Sequence, residues 1–151
     1  MASRGARLAD LDRFQASIRR QAQDICRLEP FTIAAPETTF SNLIPSISTI
    51  IQTLDINDNH TKVVVGSKAL HHLLPDLIPP MDRAYTGRFF AWPRLYSQHR
   101  QAEILREGLT VFNQLARMCQ PERLVGMRWR TSATKILDNA VVAYCCVEDL
   151  R

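Results

Sequence analysis

No apolar run in this chain approaches the roughly 20 residues that a membrane-spanning helix needs, which excludes a spanning segment and gives no reason to expect a membrane partner. The N-terminal stretch MASRGARLADLDRF is basic, but no apolar stretch follows it, so no signal peptide is read there. Cysteine occurs only as Cys26, Cys119, Cys145 and Cys146, with no C-x-x-C pair. The adjacency of Cys145 and Cys146 is awkward for zinc and for an ordinary disulfide. The expectation is reduced thiols in a cytoplasmic protein, three of them buried as small hydrophobes. Internal repeats and low-complexity tracts are also lacking.

Several ligand-loop patterns lack their essential residue. DINDNH at Asp55 begins like a calcium loop, but His60 stands where glycine is required and Gly66 where a bidentate glutamate is required. Gly66-Ser67-Lys68 has the wrong order for a nucleotide phosphate loop and no preceding glycine. His71 and His72 are adjacent, and neighbouring helical residues point about 100° apart, so one is expected in the core or at a cap and the other at the surface. Ser132 and Lys135 fit S-x-x-K, but capping a helix is a sufficient role for Ser132. No metal site and no cofactor are expected.

What is present is first a division of charge. Residues 1–61 carry a net −1 and residues 62–151 a net +5, consistent with the total of +4. The basic excess is almost all arginine: Arg83, Arg88, Arg94, Arg100, Arg106, Arg117, Arg123, Arg128 and Arg130. Arginine suits bidentate contacts with phosphate or carboxylate, so this half reads as a nucleic-acid or phosphate surface. A solvated face with scattered salt bridges is the competing reading.

The apolar spacing is helical throughout. Leu8, Leu11, Phe14 or Gln15, Ile18, Ala22, Ile25 and Leu28 form one stripe, closed by Glu29-Pro30. Phe40, Leu43, Ile44, Ile47, Ile50, Ile51 and Leu54 form the cleanest one, with Ser41 or Asn42 as cap and Pro45 in or beside the first turn. A short helix is expected from Ser67 to Leu74, a brief one from Met81 or Asp82 to Trp92, and a long one from Ser97 to Cys119. The basic turn GMRWRTS then leads to a last helix capped by Ser132, burying Ala133, Ile136, Leu137, Ala140, Val141 and Tyr144. Residues 1–151 therefore read as one all-α domain, a compact bundle of about five to seven helices.

The densest chemistry lies in VVVGSKALHHLLPDLIPPMDRAYTGRFF, residues 63–90, where polar groups of different kinds sit beside rigid prolines. Lys68 and His72 are four apart and share a helix face. A lysine beside a histidine and a desolvating loop can act as nucleophile or base. Asp82 follows Pro79-Pro80-Met81, so stiff backbone fixes its carboxylate, as a general base or as the cap of the next helix. Tyr85 and Arg88 stand behind it.

V-G-x-K at the start of a helix, followed by a proline-rich loop that delivers an aspartate, resembles the core of the helix-hairpin-helix DNA glycosylase superfamily. The resemblance implies a hairpin at Gly66 and Ser67 whose amides bind DNA phosphate. It further implies Lys68 as the attacking lysine and Asp82 as the residue assisting loss of the base. One hairpin glycine is present where the family has two, and the interval from Lys68 to Asp82 is short for it. The segment also resembles uncharacterised bacterial proteins sharing S-K-x-L-H-x-L-x-P and P-P-x-D-R. The expected function is nucleic-acid binding through the phosphate backbone by Gly66, Ser67, Arg83, Arg88, Arg128 and Arg130, with Lys68 and Asp82 as the catalytic pair of a glycosylase-like enzyme. The alternatives are an interaction subunit that docks an arginine face on a protein partner, and an enzyme acting on a phosphorylated small molecule.

Overall fold

The structure, a computed structural model, describes residues 9–56, 62–92 and 100–148. These residues form six α-helices and no strand: α1 Leu11–Leu28, α2 Glu37–Thr53, α3 Lys62–Leu73, α4 Thr86–Phe89, α5 Gln101–Cys119 and α6 Ala133–Glu148, with a 3₁₀ turn at Pro121–Leu124. The chain is an all-α bundle, as its apolar spacing predicts. The loop beyond Ile56 that carries His60, the Ser97 cap and Arg94 lie outside the described residues.

Helix α2 is the hub and packs against α1, α3 and α5. Its Phe40, Ile44, Ile47, Ile50 and Ile51 are all buried, which is the stripe the sequence displays. The helix begins earlier than its cap residues suggest. Pro36 is the N-cap, so Pro45 falls in the helix interior rather than the first turn, and Ser41 hydrogen-bonds back to the Glu37 carbonyl instead of capping. The reason lies far away in sequence: the buried Asn113 of α5 donates from Nδ2 to the carbonyls of Ile33 (2.7 Å) and Ala35 (2.9 Å) and fixes the linker before Pro36.

Helix α1 is capped by Asp10, whose Oδ1 accepts from the Arg13 amide at 2.8 Å. Its buried side is Ser17, Ile25 and Leu28, whereas Leu11 and Ala22 are exposed. Helix α5 ends with Gln120 in the left-handed region (φ 49°), and Pro121 prevents its continuation. Helix α6 packs on α4 and α5. Ser132 caps it, accepting from the Lys135 amide at 3.2 Å. Ile136, Leu137 and Val141 are buried, but Ala140 and Tyr144 are exposed, and Tyr144 instead meets Phe89 edge-on at 5.5 Å. Of the four thiols only Cys145 is buried, which corrects the expectation of three.

Helix α3 carries the largest revision. It starts at Lys62, five residues before the expected Ser67, so V-V-V-G is helical and no hairpin turn occurs at Gly66. Val63 is buried and its amide is taken by Gln101 Oε1 of α5 at 3.2 Å, which settles one of the N-terminal donors that a helix start leaves open. Gly66 is buried where α3 crosses α2, and a Cβ built there would lie 2.8 Å from Ile51 Cγ2. The glycine is needed for close approach of two helices, not for a turn.

Candidate functional site

The end of α3, the proline loop after it, the turn before α6 and the first turns of α6 enclose an open cleft of about 710 Å³. Lys68, His71 and His72 line it from α3, and Pro75, Pro80, Asp82 and Tyr85 from the loop. Arg128, Trp129 and Thr131 line it from the turn, and Lys135, Asp138, Asn139 and Val142 from α6. Of the residues expected to carry function, Lys68, Asp82 and Arg128 are thus brought to one place although they span 60 positions.

The walls are pinned from inside the fold. Ser67 is buried, donates from Oγ to the Val64 carbonyl at 3.2 Å and accepts from the Met81 amide at 3.1 Å. It therefore fixes the residue before Asp82. With Gly66 also buried, neither residue offers a backbone amide to a phosphate, which corrects their assignment as nucleic-acid contacts. Asp82 Oδ1 accepts from the Tyr85 amide at 2.7 Å and the Thr86 amide at 3.4 Å, while Thr86 Oγ1 accepts from the Asp82 amide at 3.1 Å. Asp82 thus holds the turn that leads into α4, whose N-cap position is Tyr85, and is also a wall of the cleft. Its Oδ2 accepts no hydrogen bond among the described residues.

His71 is half-buried and joins three segments. Its Nδ1–H donates to the Ile78 carbonyl at 2.8 Å and lies 3.3 Å from Thr134 Oγ1, and Thr134 in turn donates to the Pro75 carbonyl. Burial lowers its pKa below the ordinary 6.5, with the Ile78 bond opposing and His72 and Lys135 adding to the decrease. The ring is thus neutral near pH 7, and with Nδ1 carrying the proton its Nε2 is an acceptor. His72 is exposed and stands between this cleft and a second, apolar groove lined by Phe14, Ile18, Ala69 and Leu73. The division of the two histidines follows from their angular separation.

Lys68 is exposed and forms no hydrogen bond or ion pair among the described residues. Lys135 is paired with the buried Asp138 at 2.6 Å. Arg128 adopts φ 64°, a left-handed conformation that costs a non-glycine residue on the order of 1–2 kcal/mol. The turn holding it is braced by the Gly126 amide on the Arg130 carbonyl (2.8 Å) and by Asn139 Nδ2 on the Trp129 carbonyl (3.2 Å). Trp129 is 59% exposed, with the Arg130 guanidinium 5.8 Å from its ring centre.

Among the described residues, the other arginines do not gather at this cleft. Arg83, Arg88 and Arg130 are exposed but do not line it, and Arg100 and Arg117 are tied to Glu103 and Glu37. Sequence reasoning missed His71, Trp129, Lys135 and Asp138 as wall residues. A signal existed for Asp138, an aspartate set into the apolar stripe of α6 between Thr134 and Val141. Among the described residues there is no group of three or more His, Cys, Asp or Glu side chains suited to a metal ion, and no helix long and apolar enough to cross a membrane. Comparison with protein-family models, curated proteins and solved structures gives no match.

Proposed function

We propose that the protein binds a phosphate-bearing ligand in this cleft, a nucleotide unit held either free or within a nucleic acid. The observation that carries the reading is one wall set containing two cations with no ion pair among the described residues, Lys68 and Arg128, beside an exposed Trp129. Lysine and arginine supply donors to phosphate oxygens, and an exposed indole supplies a stacking surface for a base, worth about 1–3 kcal/mol. The strained backbone at Arg128 is consistent with a side chain placed for a ligand. A cleft with few free cations favours a nucleotide or a single strand over a long duplex track. In a glycosylase-like reaction Lys68 would be the nucleophile and Asp82 Oδ2 the assisting carboxylate, and the two share this cleft.

The test is a salt-titrated binding assay against mononucleotides, single-stranded DNA, RNA and duplex DNA. Single-strand or mononucleotide binding is expected to weaken for Lys68→Ala and Arg128→Ala and to lose stacking for Trp129→Ala. For a single strand, log affinity should fall against log salt by about 0.7 per phosphate contact, and each cation removed should reduce the slope accordingly. Borohydride trapping on DNA that depends on Lys68 would establish the lysine chemistry. No salt-sensitive binding to any of the four would overturn the proposal.

A second reading is favoured by one feature. Residues 122–131 are all exposed and include Leu124, Val125 and Met127 among Arg123, Arg128 and Arg130, with Met127 at 83%. Methionine, tryptophan and arginine are enriched at protein interfaces, so this turn also suits docking on an acidic protein partner.

A further inference from the structure

The cleft holds acceptors as well as cations, and that narrows the ligand. Asp82 spends Oδ1 on the Tyr85 amide at 2.7 Å and leaves Oδ2 unused among the described residues. His71 spends its Nδ1 proton on the Ile78 carbonyl at 2.8 Å, leaving Nε2 as a lone-pair acceptor on a ring that lines the same cleft. A sulfate or a phosphodiester has only acceptor oxygens near neutral pH. Seated between Lys68 and Arg128, it would set lone pairs against Oδ2 and Nε2, and unmatched polar groups in a site are a strong means of rejection. A phosphate monoester, whose second pKa is about 6, still carries a P–OH in part of its population, and inorganic phosphate does so throughout this range.

We propose that the cleft selects a protonated phosphate: its charged oxygens on Lys68 and Arg128, and its P–OH donated to Asp82 Oδ2, with His71 Nε2 as a second acceptor. The inference rests on the cleft being a phosphate site and makes that reading more specific. The ligand is a terminal phosphate, that of a nucleotide or of a strand end, rather than the internal phosphodiester of a nucleic-acid backbone. The titratable and charged groups facing the site are Lys68, His71 and His72 from α3, Asp82 and Tyr85 from the loop, Arg128 from the turn, and the Lys135–Asp138 pair from α6. Lys135 and Asp138 neutralise each other, so Asp82 and His71 set the demand for a donor.

The experiment is calorimetric binding of inorganic phosphate, sulfate, dimethyl phosphate and glycerol phosphate to the full chain at pH 6 and at pH 8. Phosphate is expected to bind at least about tenfold tighter than sulfate or dimethyl phosphate, and glycerol phosphate to bind more tightly at pH 6 than at pH 8. Asp82→Asn keeps a capping oxygen and gains donors, so the preference for phosphate over sulfate should fall to within about twofold with the fold intact. Sulfate and dimethyl phosphate binding as tightly as phosphate in the unaltered protein, or an undiminished preference in Asp82→Asn, overturns the inference while leaving a general anion cleft. Failure of all four anions to bind overturns the phosphate cleft itself.

Discussion

Replacing Gly66 with alanine adds one methyl group at the tightest point between α2 and α3. The new Cβ would lie 2.8 Å from Ile51 Cγ2, 3.3 Å from Cγ1 and 3.4 Å from Cβ, and Ile51 is only 1% exposed. The branched isoleucine has little room to turn away. Two effects oppose each other. Alanine is the better helix former by about 1 kcal/mol. Overpacking a filled core costs about 1–3 kcal/mol. The net expectation is a loss of about 1 kcal/mol, or about 2–4 °C in Tm for a chain of this size. The decisive assay is a thermal or urea double-mutant cycle with Ile51→Ala. In that background the clashing atoms are gone, so Gly66→Ala should stabilise, reversing its sign. Anion binding in the cleft should be unchanged by Gly66→Ala. A higher Tm for Gly66→Ala in the unaltered background would refute the close-packing account. Loss of phosphate binding without loss of stability would return Gly66 to the role of a phosphate-binding hairpin.

Asp82→Ala should lower stability by about 1 kcal/mol through loss of the bonds from Asp82 Oδ1 to the Tyr85 and Thr86 amides that hold the turn into α4, while Asp82→Asn should stay near the parent in urea unfolding. Acidification should destabilise the protein through His71. Its unfolded ring takes a proton near 6.5 and its folded ring resists until lower pH, so the unfolded state holds more protons in that window and stability falls as pH falls through it. Urea midpoints from pH 7.5 to 5 should show this decline, and His71→Asn should flatten it. Asp55 is held below its ordinary 3.8 by its hydrogen bond to Arg13, so its own contribution is lost at lower pH still, and Arg13→Gln should remove that acid-side component. Asn139→Ala removes the brace on the Trp129 carbonyl without changing charge; it should weaken anion binding and leave Tm almost unmoved, whereas unchanged affinity would mean that the turn is ordered without it.

The fold was legible where apolar spacing alone decides it. Ile44, Ile47, Ile50 and Ile51 could mark α2 because burial of a continuous stripe is a local pattern with a global consequence. Ser132 marked the start of α6 because a cap is a local signal, but the starts of α2 and α3 were not legible, because distant side chains set them. Asn113 fixes the linker before α2, and Gln101 satisfies the first turn of α3. The run Val63-Val64-Val65-Gly66 carries weak helix propensity, which hides the first turns of α3 in the sequence, and its burial against α2 and α5 overrides that preference. For the site, the mixture of polar residues and prolines in residues 63–90 pointed to one wall of the cleft. Of the opposite wall only Arg128 was read, since it takes the packing of α6 to bring Lys135, Asp138 and Trp129 across from Lys68.

The pattern of bracing separates residues that hold the cleft from residues that would meet a ligand. Ser67, His71 and Thr134 spend hydrogen bonds on the backbone of the proline loop, at Met81, Ile78 and Pro75, and Asn139 spends one on the turn at Trp129. Each is a side chain on a helix fixing a segment that has no regular structure of its own. Lys68 and Arg128 make no such bond among the described residues and carry the charge. A loop left unbraced would have to be ordered by the ligand, at an entropic cost of about 1–2 kcal/mol per residue of backbone. Bracing from the helices removes much of that cost before binding, which is the physical condition for a small anion with few contact atoms to be held by so few side chains.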